Sequence, residues 1–233
     1  MNSHLSDLDL SVYLVTDPAM VSARGRDVPG TVAAAVAGGV TAVQVRDKDA
    51  PAGQFLSTVL AVAQILPERV ALFVNDRVDV FLAARAAGAR VTGVHTGQTD
   101  LPVTVVREMV GDDVVIGLSA ATTLEVAAAV TGPGRVDYLG IGVLRATATK
   151  ADAPPPLGLA GFAELAAGSD LPAVAIGGII PADMHSLRRA GAAGAAIVSG
   201  ICAALDPEEA ARGYADAWAG GSSTNPDDGP PTL

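Results

Sequence analysis

The sequence predicts a single (β/α)8 TIM barrel with a short N-terminal extension and a C-terminal tail without fixed structure. Three observations lead there. Eight short runs rich in Val, Ile, Ala and Leu each give way to a helical pattern. Polar residues able to do chemistry gather just after those runs, where such a barrel opens its functional face. The length, 233 residues, suits one α/β barrel better than two domains.

The strands are expected at 12–16, 41–46, 70–74, 91–95, 114–118, 136–141, 172–176 and 195–199, each apolar and rich in β-branched residues, as strands buried on both faces must be. Helical patterns follow at 31–37, 52–66, 78–87, 103–109, 124–130, 159–167, 182–190 and 207–217. Gly38, Gly88 and Gly191 suit the left-handed position after a helix end, and Pro181 and Pro207 suit the first helical turn. Residues 1–10 then form the extension, 11–219 the barrel, and the Gly-, Pro- and Ser-rich 220–233 the tail.

Half the residues are hydrophobic and only 3% are aromatic, so the core must be built from small aliphatic side chains. The net charge of -10 argues against nucleic acid as a partner but not against a small anion held in a locally positive site. No apolar run is long enough to span a bilayer, and residues 1–10 lack the pattern of a secretory signal. A single cysteine, Cys202, excludes an intrachain disulfide, so a reducing, cytoplasmic setting is expected.

The chain has two lysines, Lys48 and Lys150, and both follow strand-like runs. After the second run comes Gln44-Val45-Arg46-Asp47-Lys48; strand alternation aims Gln44 and Arg46 together toward the mouth and turns Val43 and Val45 toward the helices. Such a cluster can grip a phosphate chain, or it can be a polar layer closing the barrel top; both readings stay open. Asn75-Asp76 follows the third run and Asp100 the fourth. The two aspartates could share a hard cation with substrate phosphates, but spacing alone favours helix capping for both. His95 reads as a packed, hydrogen-bonded histidine without a catalytic role. Ser119 follows the fifth run, and Thr147, Thr149 and Lys150 lie in a long loop after the sixth, where two hydroxyls and a lysine can hold a leaving phosphate. Gly177-Gly178 and Val198-Ser199-Gly200 end the seventh and eighth runs, where barrels often bind phosphate through backbone N–H groups. Two anion grips across one mouth suit the joining of two phosphorylated small molecules.

These motifs, in order, resemble thiamine phosphate synthase: YLVTD (13–17), GGVTAVQVRDK (38–48), FVNDRVD (73–79), GVHTGQTDLP (93–102), IGLS (116–119), DYLGIG (137–142), TATK (147–150), AIGGI (175–179) and AIVSGI (196–201). AIGGI is shared with many phosphate-binding barrels, whereas the ordered set QxRxK, ND, GQxD and TxTK is specific. The resemblance implies a Mg²⁺-assisted dissociative transferase that joins a hydroxymethylpyrimidine diphosphate to a thiazole phosphate. It implies Gln44, Arg46, Lys48, Asn75, Ser119 and Lys150 for the pyrimidine diphosphate, Lys150 and Ser119 being the catalytic pair. It further implies Thr147, Thr149, Gly178, Val198 and Ser199 for the thiazole phosphate, Asp76 and Asp100 for Mg²⁺, and a homodimer. Related barrels that tautomerise the thiazole phosphate, or that bind phosphate without catalysis, are the alternatives; the Lys150 loop and both aspartates favour the transferase. The chain departs from the family pattern in a longer 76–95 stretch, in Ala120-Ala121, in the 143–146 segment and in Ala148.

Overall fold

The computed structural model describes residues 8–146 and 155–220. Eight parallel strands close on themselves in sequence order: β1 (Val12–Val15), β2 (Ala42–Val45), β3 (Ala71–Asn75), β4 (Gly93–Thr96), β5 (Val115–Ala120), β6 (Tyr138–Gly142), β7 (Ala173–Ile176) and β8 (Gly194–Ile197). The pairing of Val12 with Ala195 completes the closure. The crossovers carry α1 (Pro18–Ser22) and α2 (Val28–Ala37), then α3 (Ala52–Ile65), α4 (Val78–Ala86), α5 (Val103–Val110), α6 (Thr123–Thr131) and α7 (Gly158–Ala167). α8 (Met184–Arg189), α9 (Ser199–Cys202) and α10 (Pro207–Ala219) complete the outer ring. The predicted (β/α)8 barrel is therefore the fold. Among the described residues no helix is long and apolar enough to cross a membrane.

Strand alternation divides the core in two. Val43, Val45, Leu72, Val74, Ile116 and their equivalents face the helices. Tyr13, Val15, Ala42, Phe73, Val115, Tyr138, Val174 and Ala196 fill the barrel interior. Three of the chain's eight aromatic residues meet there: Phe73 lies 5.5 Å from both Tyr13 and Tyr138, centroid to centroid, in tilted and edge-on contacts. Glycine makes the room. A Cβ on Gly117 would sit 2.2 Å from the Tyr138 ring and 2.5 Å from Nδ1 of His95.

At the opposite, N-terminal end, Arg107 of α5 is buried. Its guanidinium donates to the carbonyls of Gly111, Val114 and Arg135 and to the Asp137 carboxylate at 2.8 Å, and Asp137 also accepts from the N–H of Ile116. A buried guanidinium with this many partners is satisfied, and it ties α5 to the entries of β5 and β6.

Several boundaries differ from those the sequence suggests. β4 begins two residues later than expected: the Leu72 N–H donates to the Thr92 hydroxyl while the Thr92 N–H donates to the Leu72 carbonyl, and regular pairing to β3 starts only at Gly93. Gly38 is right-handed, with φ −80, and the left-handed residue is Gly39, with φ +108. Gly38 serves a different need: a Cβ there would sit 2.2 Å from the Glu208 carbonyl oxygen, so it admits α10 against α2. Gly88 and Gly191 are left-handed as expected. The segment expected as one helix over 182–190 is a 3-10 turn (Pro181–Asp183) followed by α8. α1, capped by Asp17, and α9, which replaces the end of the expected last strand, are too short to show a period. The residues of the tail beyond Gly220, residues 1–7 of the extension, and Thr147, Thr149 and Lys150 lie outside the described residues.

Gly117→Ala is expected to destabilise the barrel by about 1–3 kcal/mol through overpacking against Tyr138 and His95. Urea unfolding checks this; an unchanged midpoint would show that the two rings have slack.

Candidate active site

The strand C-termini open into a cavity of about 400 Å³, a size suited to small organic substrates. Its wall takes Arg46 after β2, Gln98 and Thr99 after β4, and Ser119 with residues 120–122 at the end of β5. Gly142 ends β6 and Val143 follows it, residues 176–179 come from the end of β7 and its turn, and 196–200 from the end of β8 and the start of α9. Arg46, Ser119, Gly178, Val198 and Ser199 thus face one space.

Arg46 leaves β2 with its backbone N–H donating to Thr16 Oγ1 at 2.9 Å. No carboxylate pairs with its guanidinium among the described residues, so its charge faces the cavity. Gln44 lies one layer deeper and is 4% exposed. Its Nε2 donates to the Tyr13 hydroxyl at 3.0 Å, which places Gln44 in a polar interior layer and leaves Arg46 at the mouth. From Tyr13 the polar contacts continue to the Tyr138 hydroxyl at 2.9 Å, from Tyr138 to His95 Nδ1 at 2.9 Å, and from His95 Nε2 to Ser119 Oγ at 3.0 Å. Burial pushes the His95 ring down to about 4, against a weaker opposing effect of the Asp100 charge, and it keeps both phenols protonated. The expectation of a packed, hydrogen-bonded His95 describes its contacts. Sequence reading missed its partners, because the inward positions of Tyr13 and Tyr138 follow from alternation but their meeting across the barrel does not.

Asp76 follows β3 in the left-handed region at φ +57, with its N–H donating to the His95 carbonyl at 2.8 Å. That kink turns its carboxyl toward Asp100. Asp100 lies close enough for its charge to act on Asp76, and Lys48 Nζ approaches Asp76 Oδ2 at 3.7 Å. Asp76 is raised to about 6, first by burial and then by Asp100, with Lys48 and Asn75 pulling the other way. Asp100 also accepts from the Gly97 N–H at 2.7 Å. The capping expectation fails for both aspartates: the caps of α4 and α5 are Arg77 and Pro102, and neither has a side-chain cap. Asn75, 9% exposed, and half-exposed Lys48 complete this corner.

Across the cavity Gly177 and Gly178 are left-handed, with φ +97 and +67. Any Cβ there would strike Val143 and Arg145 at 2.6 and 2.9 Å. Arg145 pairs through both terminal guanidinium nitrogens with Asp183, Nη2 to Oδ1 at 2.6 Å, and Nη1 also donates to the Gly178 carbonyl. This bidentate clamp pins the root of the β6 loop to the β7 turn. It arises in the 143–146 departure from the family pattern, and nothing in the strand periodicity signals it.

Residues 12–201 match the family described as "Thiamine monophosphate synthase". Thiamine-phosphate synthase of Azorhizobium caulinodans is 46% identical over 205 residues, covering 88% of this chain and 92% of its own length. That of Xanthobacter autotrophicus is 47% identical over 205 residues, covering 88% and 93%. Among solved structures, thiamine phosphate pyrophosphorylase from Pyrococcus furiosus superposes with a TM-score of 0.80 at 29% identity, covering 92% of this chain and 98% of that one.

The Asp76–Asp100 contact has a stability signature. Asp76 titrates near 6 in the folded chain and at 3.8 in a model peptide, so the native state holds the extra proton between those values. Stability therefore falls as pH rises through that window, and the loss is complete above it. Asp76→Asn keeps the left-handed backbone accessible and removes the charge. It is expected to raise stability at neutral pH by on the order of 1–2 kcal/mol, and to change it little below pH 3.8. Chemical denaturation at the two pH values reads the difference; equal effects at both would mean that the folded chain does not raise Asp76.

Proposed function

The chain is a transferase of the thiamine monophosphate synthase family, and we propose that it joins 4-amino-2-methyl-5-hydroxymethylpyrimidine diphosphate to a thiazole phosphate, giving thiamine phosphate and pyrophosphate. One observation carries this reading beyond the family. Arg46 and Ser119 face Gly178, Val198 and Ser199 across a single cavity, so two anionic substrates can be held with their reacting ends between the grips.

In this reading Arg46, Lys48, Asn75 and Ser119 hold the diphosphate, with Gln44 supporting the wall from below. Gly178, Val198 and Ser199 hold the thiazole phosphate, joined by Thr147 and Thr149. The bond between the pyrimidine methylene carbon and the diphosphate oxygen breaks first, and the electron pair leaves with the oxygen. The thiazole nitrogen lone pair then forms the new carbon–nitrogen bond. That nitrogen carries no proton to lose, so the chain needs no general base. Its task is to position the two partners and to neutralise charge on the leaving group, which Arg46, Lys48 and Lys150 do. The apolar side chains of Val143 and Ile176 line the cavity and limit water that would otherwise trap the cation.

The donor set at Asp76 and Asp100 fits Mg²⁺: two carboxylates on neighbouring loops meet beside the diphosphate grip, leaving substrate oxygens to fill the remaining positions. When bound, the ion adds positive charge against the departing pyrophosphate.

Incubating the purified chain with both phosphorylated substrates and Mg²⁺ is expected to yield thiamine phosphate, detected chromatographically. No product at high enzyme concentration would overturn the reading. Lys150→Ala is expected to slow turnover about 100-fold; near-normal kinetics would make Lys150 a surface residue. Replacing Asp76 and Asp100 together is expected to abolish the response to Mg²⁺ while the chain stays folded by circular dichroism, and an undiminished response would remove both from the metal site.

A further inference from the structure

We infer that the hydrogen-bond chain Gln44–Tyr13–Tyr138–His95–Ser119 has one fixed direction, which turns the Ser119 hydroxyl hydrogen toward the cavity and makes Tyr138 and His95 positioning residues for an anionic oxygen. The inference rests on the proposed function for the identity of that oxygen, a diphosphate oxygen, but not for the direction itself.

The direction follows from what each group can do. The Gln44 amide nitrogen only donates, so the Tyr13 oxygen must accept from it at 3.0 Å. Tyr13 has one hydrogen of its own, and its neighbour at 2.9 Å is the Tyr138 oxygen. Tyr138 accepts there and spends its hydrogen on His95 Nδ1, also at 2.9 Å. A ring whose Nδ1 accepts carries its proton on Nε2, and that N–H points at Ser119 Oγ, 3.0 Å away. Ser119 Oγ is thereby an acceptor toward the barrel. Its own hydrogen has no other protein partner among the described residues, and Ser119 lines the cavity.

The reverse order fails at its inner end. With Nε2 of Gln44 at the Tyr13 oxygen, a Ser119 that donated to His95 would leave the Tyr13 hydrogen facing an amide N–H, two donors opposed in a buried layer; the reverse order needs the Gln44 amide turned over so that Oε1 accepts instead. The tyrosines and Gln44 have no route to bulk water through which to relieve this, because Tyr13 and Tyr138 are at most 1% exposed. The inner aromatic layer thus sets the preference of the mouth: at Ser119 it favours groups that accept, such as phosphate oxygens, over groups that donate.

Two measurements test this without requiring turnover. Nitrogen-15 NMR of the full chain labelled at histidine is expected to show His95 as the Nε2–H tautomer; an Nδ1–H tautomer overturns the inference. Calorimetry with inorganic pyrophosphate and Mg²⁺ is expected to show Tyr138→Phe weakening binding about tenfold. In a Ser119→Ala background the same substitution is expected to add little, since Tyr138 acts through Ser119. A full additional tenfold loss in that background overturns it too. Should Tyr138→Phe fail to fold, the tautomer in the unaltered chain decides. A chain that shows the Nε2–H tautomer but neither binds pyrophosphate nor makes thiamine phosphate would overturn the proposed function and leave the direction standing.

Discussion

The inside of this barrel has to be filled, and filling it with tyrosine constrains everything above. A chain with so few aromatic residues places Tyr13, Phe73 and Tyr138 in one interior layer. Each phenol brings a hydroxyl that must be partnered once it leaves water. Gln44 satisfies one end of the pair and His95 the other, so the requirement of the core is passed upward until it reaches Ser119 at the cavity wall. Gly117 belongs to the same constraint, since a side chain there would occupy the space of both rings. One set of contacts thus joins the packed core to the cavity wall.

Electrostatics at the mouth runs against the chain as a whole. The protein is strongly acidic, yet Arg46 presents to the cavity a guanidinium that no carboxylate pairs among the described residues. Beside it Asp76 and Asp100 are held together at a cost that burial and mutual repulsion make plain in the raised titration of Asp76. The left-handed backbone at Asp76 is part of that cost.

Much of this was legible in the residues. Short continuous apolar runs located all eight strands, because strands buried on both faces leave a strong local signal, and the order of the polar clusters located the mouth. Boundaries were less legible where a side chain takes over half of a backbone pairing, as Thr92 does before β4, or where a glycine serves close packing, as Gly38 does beneath α10. Asp76 and Asp100 resemble helix caps in sequence, and only the turn at Asp76 shows that their carboxyls face each other instead. The clamp between Arg145 and Asp183 joins residues 38 positions apart, and the contact of Tyr13 with Tyr138 spans 125. No local pattern encodes such pairings; they exist only once closure has set which strands lie opposite.

Closure has one more effect. With β1 paired to β8, each strand has neighbours on both sides, and the sheet offers no free edge on which another chain could extend it. The loops at the mouth can therefore change in length and composition without exposing a sticky border. The unusual 143–146 segment is one such change: it altered how the β6 loop is anchored while the ladder beneath it stayed whole. Diversification at the rim and resistance to aggregation come from the same topological fact.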